Sequence, residues 1–161
     1  MAVTDGVLET IEGDNGSVTI GWVHPKVLYA RFTGELSVEL GVAHLARMRE
    51  RVRDASALKH FSDASGLTAY DLLARSDFVR FILVHRRRFT HYVTLTWGDG
   101  HSAASRAFAS AIGEPIEILT DRGRFEKKLV QAAPLAHERL RESARIRTPS
   151  EIMGGRDRQR L

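Results

Sequence analysis

The stretch from Ala57 to Phe89, ALKHFSDASGLTAYDLLARSDFVRFILVHRRRF, constrains the fold more than any other part of the chain. A short apolar run, ALKHFS (57–62), enters a turn of small polar residues, and a long apolar-rich segment follows. Asp71 is placed to cap a helix over about 72–88, because its carboxylate can accept from amides that a first helical turn leaves unpaired. A helix that covers a sheet needs a further strand beyond it, and the sequence supplies one twice. HYVTLTW (91–97) sets Val93, Leu95 and Trp97 against Tyr92, Thr94 and Thr96, the period of two expected of a strand. IEIL (116–119) is the second. Between them Ser102 is placed to cap an Ala-rich helix over 103–112 that Gly113 stops. After IEIL, Thr120 or Asp121 caps a helix that Pro134 interrupts. Strands joined by helical crossovers pair in parallel.

Upstream the pattern differs. VLETI (7–11) and VTIGWV (18–23) flank Gly13-Asp14-Asn15-Gly16, residues that tolerate positive φ and favour a hairpin. His24-Pro25-Lys26 marks a second turn, and VLYARF (27–32), closed by Gly34, is a third strand. Ser37 then caps an amphipathic helix to about Arg53, with Leu40, Met48 and Val52 on its apolar side. The order β-β-β-α-β-α-β-α-β-α predicts one α/β domain over 1–134. Its mixed sheet begins antiparallel and continues parallel, with about four helices packed on it. Residues 135–147 read as a charged helical extension, and 148–161 as a mostly disordered basic tail. Lys59 and His60 interrupt the apolar run expected of a central parallel strand, so 57–62 reads as a poorly buried one.

Composition narrows the function. The 161 residues are 43% hydrophobic and 27% charged, ordinary values for a domain large enough to bury a core. Cysteine is absent, which excludes disulfides, thiol nucleophiles and Cys-based metal sites. The net charge is +4, but residues 138–161 hold seven Arg against four acids, leaving the first 137 near +1. The basicity belongs to the tail, so a nucleic-acid role is not expected. With no signal-like N-terminus and no apolar window of the roughly 20 residues that span a bilayer, a soluble cytoplasmic protein is expected.

The element order, together with FSDASGLTAYD before a helix, resembles the sulfate-transporter and anti-sigma-factor-antagonist (STAS) family over about residues 18–132. It is most similar to the small bacterial SpoIIAA-like subgroup related to CRAL-TRIO-type lipid-binding proteins. The resemblance assigns the motif turn to Asp63, Ser65, Gly66, Thr68 and Asp71, with Asp63 ending a strand and Asp71 opening the helix. Leu72 and Leu73 stand where the phospho-switch members of the family carry serine, so switching by a serine kinase is not expected here. The resemblance implies a non-enzymatic regulatory or protein-interaction module of a bacterial cytoplasm. The alternative is a carrier that binds a small apolar or anionic molecule, a lipid for instance, between the sheet and the helix 72–88.

No residue pattern amounts to a catalytic signature. Ser65, His60 and Asp63 lie close in sequence, but no nucleophile elbow surrounds the serine, and local turn hydrogen bonds account for it. The seven histidines show no metal-ligand spacing, and neither metal nor cofactor is expected. Gly98, Gly100 and Ser102, between a strand end and a helix start, form a candidate anion site without the lysine or spacing of a P-loop. Arg86, Arg87 and Arg88, beside Phe89 and Tyr92, are explained by the helix dipole more simply than by nucleic acid. On the helix itself Phe78, Phe81, Ile82 and His85 form one stripe, and Leu72, Val79, Leu83 and Arg86 another. With the second stripe inward, the first becomes a candidate homodimer interface.

Overall fold

The computed structural model describes residues 8–97 and 99–146. Six strands form one sheet in sequence order, β1 (Glu9–Glu12), β2 (Gly16–His24), β3 (Val27–Leu36), β4 (Leu58–Tyr70), β5 (Phe89–Leu95) and β6 (Ile116–Leu119). β1, β2 and β3 pair antiparallel, and every later pairing is parallel. Among the described residues five α-helices accompany them: α1 (Val38–Val52), α2 (Leu72–His85), α3 (Asp99–Ile112), α4 (Arg122–Ala132) and α5 (Ala136–Ile146). The mixed α/β sheet is thus the one expected. Gly34, with φ of 72°, lets β3 cross the β1–β2 turn; a Cβ there would collide with the carbonyl of Asn15.

The expected caps form. Ser37 accepts from the Leu40 amide at 3.2 Å, Asp71 from Leu73 at 2.7 Å and Asp121 from Arg124 at 3.1 Å. The turn expected after residue 62 does not. β4 continues for thirteen residues to Tyr70. Its pairing with β3 slips once between Arg31 and Thr33 and again between Gly34 and Glu35, each time with an extra residue on β4. Small polar residues and a glycine suit such bulges as well as they suit a turn. At Gly66 a Cβ would sit 2.7 Å from the Phe32 carbonyl oxygen, so the close strand approach itself requires glycine.

β4 is also a central strand, buried over most of Leu58–Ala64, against expectation. His60 has no exposed surface, because its ring stacks on Tyr92 at 4.5 Å and meets Phe89 edge-on at 6.3 Å. Alternation along β4 sends His60, Ser62 and Ala64 to one face and Phe61 and Asp63 to the other. The first face carries α1, α2 and the larger hydrophobic cluster. The second carries α4 and α5, which seat Phe125, Leu129 and Ala136 against Tyr29, Phe61 and Val93.

The two stripes of α2 are the reverse of the expected arrangement. Phe81 and Ile82 are buried, while Leu72 and Leu83 are 72% and 47% exposed. Phe78 meets Phe32 and Tyr92 edge-on at 6.5 and 6.2 Å, and His85 packs on Phe81 at 4.6 Å. Aromatic rings already present on β3, β5 and α1 give the inward stripe partners of matching shape. Phe78, Phe81, Ile82 and His85 therefore lie on the core-facing side of α2, and the stripe left outward is the other one.

Candidate functional site

Under α2 and α3 the core is not filled. Ser62 and Ala64 on β4 and Thr94 on β5 are too short to meet Phe78 and Ile82 from α2 or Phe108 from α3. A cavity of about 140 Å³ remains between sheet and helices, with Ile116 and Ile118 also in its lining. Most of its surface is apolar, as expected of a pocket for a small organic molecule. Tyr70 and Arg75 supply a polar edge: Arg75 Nη1 donates to Tyr70 Oη at 3.0 Å, with the guanidinium 5.4 Å from the ring centre.

Polar groups buried on this face lack partners. Among the described residues, the Tyr92 hydroxyl and both ring nitrogens of His44 and His60 make no hydrogen bond. Tyr92 also lines the cavity. Burial lowers the pKa of His44 to about 3, helped by the Arg51 charge, and that of His60 to about 3, helped by His44. Burial pushes the Tyr92 hydroxyl well above its ordinary value. All three are neutral near pH 7, the condition under which rings can be buried without counter-charges.

The opposite face holds a second, polar hollow of about 250 Å³ between β3, β4, α4 and α5. Asp63 lies at its base with a nearly inaccessible carboxylate. Its Oδ1 accepts from the Ser65 amide at 3.1 Å and from Ser65 Oγ at 2.5 Å. Arg122 reaches Oδ2 at 3.2 Å and also donates to Ser65 Oγ, while Arg31 Nε stands 3.6 Å from Oδ2. Arg31 Nε donates to the Tyr29 hydroxyl at 3.0 Å. Burial, only partly offset by Arg31, raises the Tyr29 pKa to about 12.

The motif residues of the sequence reading are thus dispersed. Asp63 and Ser65 are joined, but in mid-strand and beside α4, not at a helix opening. Gly66 and Thr68 sit at the β4 bulges, and Asp71 caps α2. His60 faces the opposite side of the sheet from Asp63 and Ser65, so the three do not assemble into a triad. Gly98 lies outside the described residues, and Gly100 and Ser102 fall inside α3, which begins at Asp99. Sequence reasoning missed Tyr29, Arg31 and Arg122. Arg31, in the strand run VLYARF, was the available signal: a cation in a central strand requires a nearby acid or an open edge. Among the described residues no three metal-ligating side chains converge, and no helix is long and apolar enough to cross a membrane.

The fold is similar to that of an uncharacterized protein of the DUF3478 family with a SpoIIAA-like fold, from Shewanella loihica PV-4. The TM-score is 0.60 at 15% identity, over 74% of this chain and 98% of that chain. No family model and no curated protein matches the sequence. The chain therefore has a SpoIIAA-like, STAS-like fold.

Proposed function

We propose that this STAS-like module is non-enzymatic and works by holding a small, mainly apolar molecule between its sheet and α2. The observation that carries this reading is the unfilled apolar cavity, lined by Phe78, Phe108 and Tyr92, in an otherwise packed core. Tyr92 lines the cavity, but its hydroxyl is inaccessible, so the lining favours a mainly apolar body. The polar edge at Tyr70 and Arg75 suits the end of such a molecule that remains near solvent.

Trp97 lines the cavity and reports on it. In a Trp22→Phe background, n-octanol should change Trp97 emission saturably, and Val79→Phe, which fills the cavity from α2, should abolish the response. An unsaturable response, or one that survives Val79→Phe, argues against the pocket.

A second reading, protein recognition, rests on a different observation. Leu72 and Leu73, directly after the Asp71 cap, are 72% and 65% exposed. Paired substitution of both by Glu should release a partner or a second copy while leaving n-octanol binding intact. Unchanged association in size-exclusion chromatography removes this reading.

A further inference from the structure

The hollow on the α4/α5 face has features that a purely structural role leaves unexplained. Asp63, Ser65 and Arg122 form a closed cluster that fastens α4 to the sheet, and they need nothing more. Arg31, however, engages that cluster only through Nε; its two terminal amino groups have no protein partner among the described residues. Arg141 lines the same hollow from α5, and among the described residues it makes no ion pair or hydrogen bond. The Tyr29 hydroxyl accepts from Arg31, and among the described residues it donates its own proton to no acceptor. Three sets of donors from two elements, β3 and α5, thus border one cavity with their donor capacity unspent. Phe125, Leu129 and Leu140 add an apolar part to its lining.

We propose that this hollow binds a small monocarboxylate with an apolar body, its carboxylate held by Tyr29, Arg31 and Arg141 and its body on Phe125 and Leu129. Guanidinium forks match the two oxygens of a carboxylate, and phosphate presents the same geometry, so charge decides between them. Arg31, Arg122 and Arg141 face Asp63 and Glu126 around the hollow, an excess of one positive charge among these five side chains. A single negative charge balances that excess. A phosphate carrying nearly two meets repulsion from Glu126, which lies 3.7 Å from Arg122. Tyr29 keeps its proton at neutral pH and donates it to the carboxylate. The site lies across the sheet from the apolar cavity, so the two bind independently.

Amide-resolved NMR titration of the full chain with sodium benzoate tests the site. Saturable shifts are expected around residues 29–31, 122–126 and 137–141. Arg141→Gln should weaken binding about tenfold or more, equivalent to about 1.4 kcal/mol, with an unchanged melting curve and unchanged n-octanol binding. Arg31→Gln should weaken it similarly; if that variant does not fold, Arg141→Gln decides alone. Inorganic phosphate and phenyl phosphate should bind more weakly than benzoate. Absent shifts, or wild-type affinity in Arg141→Gln, overturn the site. Tighter binding of phenyl phosphate overturns the assignment to a monocarboxylate.

Discussion

On the face covered by α1, α2 and α3, four imidazole nitrogens and the Tyr92 hydroxyl are buried without partners among the described residues. On the face covered by α4 and α5, the buried Asp63 carboxylate is held by an amide, a hydroxyl and two guanidiniums. The same strand supplies His60 to one side and Asp63 to the other. The difference shows how much each group can surrender. A neutral ring without partners costs about 1–3 kcal/mol for each unsatisfied group and can recover part of it by stacking. An ionised carboxylate without partners costs far more, so it is buried only with its counter-charges. One face therefore tolerates unpaired polarity, and the other concentrates charge.

Acid should break this contrast most strongly. His44 and His60 titrate at about 3 in the fold and near 6.5 when unfolded. Between those values the unfolded chain binds protons that the folded chain refuses, so stability falls as pH drops. Each histidine withdraws about 1.4 kcal/mol per pH unit through that window, and above pH 6.5 the loss vanishes. Against a total of roughly 5–15 kcal/mol, the pair should drive unfolding within it. The double variant His44→Phe, His60→Phe should move the acid midpoint, followed by circular dichroism, to lower pH. An unmoved midpoint would mean that carboxylates govern acid unfolding.

The α2 stripes give the next effect. Phe81→Ala should cost about 3–5 kcal/mol in urea denaturation, while Leu72→Ala should stay within about 0.5 kcal/mol. The reverse order would turn the helix over and close the apolar cavity.

How far the sequence revealed these differences depends on the segment. The antiparallel start, the parallel continuation and the caps at Ser37, Asp71 and Asp121 were legible, because each rests on local chemistry. The course of β4 was not. Ser65, Gly66 and Thr68 suit a bulged strand and a turn equally, and only pairing with Thr33 and Gly34 chooses between them. His60 looked unfit for a central strand because the Tyr92 and Phe89 rings that accept it lie about thirty residues downstream. Which stripe of α2 turns inward depended likewise on Phe32 and His44, which flank Phe78 from β3 and α1. The sequence offered binding between the sheet and helix 72–88 only as an alternative; the cavity found there could not be read, because its lining joins β3, β4, β5, β6, α2 and α3.

Smaller effects belong to the charged face. Asp63→Asn should cost about 1–3 kcal/mol, toward the lower end because Arg31 and Arg122 are half-exposed. The difference should shrink in high salt. A loss independent of salt would assign Asp63 a packing role instead of an electrostatic one. Arg141→Gln should change stability by less than about 0.5 kcal/mol, because no described residue pairs with it; a larger thermal shift would make it part of the scaffold.

Native mass spectrometry of the full chain, purified without denaturant, tests the central claim most directly. The account predicts a mass above that of the bare chain, carried by a mainly apolar molecule that denaturation releases and that Val79→Phe excludes. Bare chain in both proteins, with neither gaining mass when n-octanol is added, would contradict a ligand-holding cavity between the sheet and α2.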